Sequence, residues 1–74
     1  MNKEDLYIGQ ILIQTAYIAH TIEKVIDIQS ELFTIEIIKY VTHPGHYADK
    51  KYDMSFGSLP IYRELTPLEK IKYL

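Results

Sequence analysis

Apolar and polar side chains alternate most regularly between Thr21 and Val41 (TIEKVIDIQSELFTIEIIKYV), and this stretch organises the expectations for the rest of the chain. In an extended chain successive side chains point to opposite faces. Ile22, Ile26 and Ile28 then fall on one side and Thr21, Glu23 and Asp27 on the other, the pattern of a half-buried strand. Lys24 and Val25 break the alternation. Beyond Gln29-Ser30-Glu31, a polar interval suited to a turn, Phe33, Ile35 and Ile37 alternate with Thr34 and Glu36. Isoleucine, valine and threonine are stiff at the first side-chain torsion and fit a pleated surface better than a helix. Two such strands joined this closely predict an antiparallel hairpin at the centre of the fold.

On the N-terminal side, Leu6 to Thr15 (LYIGQILIQT) sets Ile11 and Ile13 on one parity and Gln10, Leu12 and Gln14 on the other, which predicts a first strand. A helix is the alternative for residues 6–20, because Ile8, Leu12, Ala16, Ala19, Ile22 and Ile26 also lie near one stripe of a 3.6-residue repeat. Gly9 favours the strand, since glycine in a helix interior is worse than alanine by about 1 kcal/mol. Ala16 to His20 would connect strand to hairpin, with Tyr17 and His20 at or near the surface.

After Val41 the pattern dissolves into THPGHYADKKYD, residues 42–53, the main loop of the chain. Pro44-Gly45 suits a type II turn. Met54 and Phe56 alternate with Ser55 and Gly57 as a short strand ending at Gly57-Ser58, and Leu59 to Leu65 is a further extended piece whose Pro60 places it at an edge. Thr66-Pro67-Leu68-Glu69 matches a capping box. Threonine accepts from an orphan amide, glutamate reaches back, and proline gives up an amide that had no partner. A helix over 67–74 follows, with Leu68, Ile71 and Leu74 expected to face the barrel. The sum is a mainly β fold in a single domain, 1–74: a small SH3-like barrel or a curled antiparallel sheet with a short C-terminal helix.

Composition narrows the function. A chain of 74 residues without cysteine has neither a disulfide framework nor a cysteine-histidine zinc cluster, and a domain this small hides only about 60% of the surface of its unfolded chain. With 47% hydrophobic residues, seven of them tyrosine, part of that apolar surface is expected to meet a partner or a second copy, making a homo-oligomer. A net charge of −2 removes the strongest argument for nucleic-acid binding, a basic stripe that neutralises phosphates, and leaves room only for local basic patches. The N-terminus mixes charges of both signs and no stretch is long and apolar enough to span a bilayer, so the expectation is a cytoplasmic protein with no membrane partner.

Candidate chemistry concentrates after Val41. His43, His46 and Asp49, three apart, are residue types that bind zinc or move protons, but Pro44-Gly45 breaks the helix that would bring them together. No metal and no cofactor is expected. Glu23 and Asp27 are carboxylates four apart on the polar parity, expected at the surface with little depth to perturb them. No serine or threonine sits in a nucleophile elbow and Gly9, Gly45 and Gly57 are scattered, so neither an enzyme nor a phosphate loop is expected. Lys50, Lys51 and Arg63 beside Tyr47 and Tyr52 would make a stacking and charge surface for a nucleotide or single strand, although Asp49 and Asp53 cancel charge locally. Tyrosine gives large contact area at low entropic loss.

With a small barrel ahead of it, Tyr62-Arg63-Glu64-Leu65-Thr66-Pro67-Leu68-Glu69 resembles the ending of short accessory, anti-defence-like proteins encoded by bacteriophages and mobile elements. The resemblance implies action by binding: inhibition of host defence or transcription machinery, or sequestration of a small ligand. The expectation is a non-catalytic inhibitor of a host protein. Its contact surface would comprise Tyr17, His43, His46, Tyr47, Lys50, Lys51, Tyr52 and Arg63. Nucleotide or nucleic-acid binding is the alternative.

Overall fold

The structure, a computed structural model, describes residues 1–16, 20–41 and 50–74. Five antiparallel strands form one sheet in the order β4-β3-β2-β1-β5: β1 (Ile11–Gln14), β2 (Thr21–Ile28), β3 (Leu32–Tyr40), β4 (Lys51–Ser55) and β5 (Tyr62–Glu64). A seven-residue helix, α1 (Pro67–Tyr73), ends the chain. Of the two forms expected, the curled sheet is the one realised. Among the described residues β4 and β5 are its edges and do not pair with each other, so the sheet does not close into a barrel.

The β2–β3 hairpin carries the sheet as its pattern predicts, turning where Gln29 N–H donates to the Leu32 carbonyl at 2.8 Å. Its face assignment differs from simple parity because the register shifts twice, between Ile22 and Glu23 and between Val25 and Asp27. An extra residue at a bulge reverses which side the following residues face. Thr21, Glu23 and Val25 alternate onto the inner face, the extra residue Ile26 lets Ile28 join them there, and Ile22 faces the other way. On β3, Phe33, Ile35 and Ile37 are buried as expected, and the first shift brings Tyr40 opposite Thr21.

Both faces are partly covered. The main core joins Leu12, Val25, Phe33, Ile35, Ile37, Leu59 and Tyr62, with Phe33 stacked on Phe56 and edge-on to Tyr62 at 5.9 Å each. Behind the sheet a smaller cluster holds Ile13, Ile22 and Leu65 with Tyr73 of α1 packed on it.

Three local expectations are corrected. The first strand is shorter than residues 6–15: Gly9, at φ +90°, occupies a left-handed conformation ahead of β1, and Val25 N–H donates to the Gln10 carbonyl. Phe56–Ile61 forms a 3-10 helix, so the extended piece after Gly57 is only β5. The capping box is present, with Glu69 N–H donating to Thr66 Oγ1 at 3.2 Å and Thr66 N–H to Glu69 Oε1 at 3.0 Å. However, Leu68, Ile71 and Leu74 point outward, 78, 80 and 61% exposed, and Tyr73 is the residue that packs inward. Bidentate pairing of Arg63 with Glu69, at 2.6 and 2.7 Å, fixes the helix in that rotation. Among the described residues no helix is long and apolar enough to cross a membrane.

Candidate functional site

Two rungs of the sheet build a pocket. In the first, Tyr62, Gln14, Thr21 and Tyr40 are successive cross-strand partners on β5, β1, β2 and β3. In the next, Leu12, Glu23 and Ile37 are partners. Residues directly opposite on antiparallel strands share a face, so these side chains converge on one side. Ile35 and its β4 partner Tyr52, with Met54, complete the wall. They enclose a pocket of about 410 Å³, within the size range of small-molecule sites.

The floor of this pocket is polar and buried. Glu23 is 1% exposed and Gln14 6%. Glu23 Oε2 accepts from Thr21 Oγ1 at 2.6 Å and from Gln14 Nε2 at 3.3 Å, and the same Gln14 amide nitrogen donates to the Tyr62 hydroxyl at 2.9 Å. Among the described residues Glu23 Oε1 and Gln14 Oε1 have no hydrogen-bond partner. Burial raises the Glu23 carboxyl above the ordinary glutamate value, and hydrogen bonds from the Thr21 and Tyr62 hydroxyls to the carboxylate oppose that rise. Buried polar atoms are paired in the great majority of cases, so the two unpaired acceptors set this floor apart from the rest of the core. Gln10 makes the contrast. It is equally buried, yet its amide is used at both ends, accepting from Tyr7 N–H at 3.1 Å and donating to the Asp5 carbonyl at 3.1 Å.

The residues expected from sequence to form the contact surface are dispersed. Tyr17, His43, His46 and Tyr47 lie outside the described residues, as does Asp49. Lys50 precedes β4 and its carbonyl accepts from Ile37 N–H at 2.8 Å. Lys51 lies in β4 opposite Glu36, and as the immediate neighbour of Tyr52 it projects from the other face. Tyr52 reaches the pocket and is 44% exposed. Arg63 sits at the far edge of the sheet, on β5, and is bound to Glu69, whose carboxyl it holds down at about 2. Among the described residues of the proposed stacking and charge surface, only Tyr52 lines the pocket.

Sequence reasoning missed Glu23, Gln14, Thr21, Tyr40 and Tyr62. Glu23 was expected at the surface and is at the floor of the pocket, because the extra residue of β2 is Ile26: Thr21, Glu23 and Val25 share the inner face before it and Ile28 takes that face after it. The available signal was the break at Lys24-Val25. A strand with valine on its polar parity is being used on both faces. No group of three histidine, aspartate or glutamate side chains is placed to hold a metal among the described residues. What the arrangement offers chemically is a pair of hydrogen-bond acceptors under apolar and tyrosine walls. Comparison with protein-family models, curated proteins and solved structures gave no match for the chain.

Proposed function

We propose that this chain is a non-catalytic binding protein whose pocket over Glu23 holds a small molecule bearing hydrogen-bond donors. The observation that carries this is the pair of unpaired oxygens, Glu23 Oε1 and Gln14 Oε1, buried at the floor beneath a pocket walled by Ile35, Ile37, Met54 and tyrosines. A buried acceptor without a donor is destabilising by about 1 to 3 kcal/mol, and a bound ligand relieves two at once. Such a protein acts by sequestering its ligand, one of the modes implied by its resemblance to cytoplasmic accessory proteins of phages and mobile elements. Methyl NMR of protein screened against small fragments tests it. Binders should shift the methyl resonances of Met54, Ile35 and Ile37 and leave those of Leu68 and Ile71 in place. A screen in which no compound selects the first set refutes the pocket.

Direct inhibition of a host defence protein is the second reading, favoured by the exposed row Leu68, Ile71 and Leu74 and by half-exposed Tyr52. The same row is where a second copy would sit in a homo-oligomer. Nucleotide or nucleic-acid binding has less to stand on, because Arg63 is engaged by Glu69 and Lys51 projects away from Tyr52. Added salt separates these. Phosphate-driven binding weakens steeply, whereas binding through apolar contacts and a few hydrogen bonds changes little.

A further inference from the structure

We infer that the ligand is an organic cation, a primary amine with an apolar or aromatic body, whose ammonium group is held by Glu23 and Gln14. The inference rests on the pocket reading and adds the charge of the ligand to it.

The first support is the sign of the floor. Both unpaired atoms are acceptors, one of them on a carboxylate. A phosphate or carboxylate ligand would bring like charge against them, and a ligand with acceptors alone would leave both unpaired. The second is the missing countercharge. Glu23 is faced by Gln14 and Leu12 from β1, Thr21 from its own strand, Ile37 and Tyr40 from β3 and Tyr62 from β5. Among the described residues its hydrogen bonds come only from neutral groups and no cation pairs with it. A buried carboxylate with neutral donors and one empty oxygen is a costly arrangement that a cation completes.

The walls supply the third support. Tyr40, Tyr52 and Tyr62 line the pocket together with Met54, Ile35 and Ile37. Tyrosine rings attract cations through their π faces, and aliphatic walls suit the body of an arylalkylamine. Solvent does not reach the two unpaired oxygens, so the ammonium meets them through a side-chain adjustment at the floor rather than through an open channel. One nitrogen with three N–H donors serves both oxygens and retains a donor for a tyrosine hydroxyl.

Calorimetric titration of the wild-type protein with 2-phenylethylamine, 2-phenylethanol and 3-phenylpropionate is the test. These probes share a ring and differ in the charge of the end group. The amine should bind at least about tenfold tighter than the alcohol, the difference expected for a hydrogen bond to a charged group, and the carboxylate should not bind. In Glu23→Gln the amine should lose that advantage over the alcohol. Equal affinity for amine and alcohol overturns the cation and leaves the pocket standing. An amine advantage that survives in Glu23→Gln overturns it too, because the cation then sits elsewhere. If none of the three binds while neutral fragments do, the inference falls alone. If the fragment screen is also blank, the pocket reading falls with it.

Discussion

Replacing Glu23 by glutamine should change how stability depends on pH. In the unfolded chain the Glu23 carboxyl titrates near its ordinary value of 4.5, while in the fold burial raises it. From about pH 4.5 up to the raised folded value, the folded state therefore keeps a proton that the unfolded state has released. Stability falls as pH rises through that window and levels off above it. One proton sets the ceiling of this slope at about 1.4 kcal/mol per pH unit. The Thr21 hydroxyl at 2.6 Å and the Tyr62 hydroxyl both favour the charged form, which narrows the window and with it the total loss. Glutamine has nearly the same volume, accepts from Thr21 through its carbonyl and carries no proton to lose. Urea unfolding of both proteins at half-unit steps from pH 4 to 8 should show matched stabilities at the acid end. The variant should gain on the wild type as pH rises. Parallel curves would refute the burial of an unpaired carboxylate, and a gap that closes with rising pH would show that the fold stabilises the charge.

Three further outcomes follow from packing and capping. Phe33→Ala removes a fully buried ring in contact with Phe56 and Tyr62; a loss of about 3 to 5 kcal/mol is expected, measured as the shift in urea midpoint. Leu68→Gln and Ile71→Gln should each shift stability by less than about 0.5 kcal/mol, since both side chains face solvent; a larger loss in concentrated protein that vanishes on dilution would locate a self-association face there. Thr66→Ala should cost about 1 kcal/mol. Because Arg63 and the cap hold the Glu69 carboxyl down at about 2, the stability it contributes is present above pH 4.5 and lost as pH falls toward 2, which far-UV circular dichroism follows at the helix.

The hairpin and the capping box were legible because each rests on local chemistry: period two over β3, and four residues whose types each fill a defined role at a helix start. The inner face of β2 was not. A strand with an extra residue at Ile26 does not keep parity from end to end, so Glu23 reads as solvent-facing when Ile26 and Ile28 set the inner face and is buried in fact. The rotation of α1 was illegible for a related reason. Leu68, Ile71 and Leu74 make a regular apolar row, but the Arg63–Glu69 pair and the seat of Tyr73 against Ile13, Ile22 and Leu65 are tertiary and turn that row outward. Gln14 and Tyr62 are 48 positions apart and meet only because β5 returns to pair with β1. Nothing in either segment announces the other.

The most direct measurement is the titration of the Glu23 side-chain carboxyl by carbon-13 NMR, in free protein and in protein saturated with 2-phenylethylamine. Burial without a cation puts the free midpoint above 4.5, and an ammonium against Oε1 should pull it down. A Glu23 carboxyl that titrates at the ordinary value, or a raised midpoint that the amine does not move, would contradict the site.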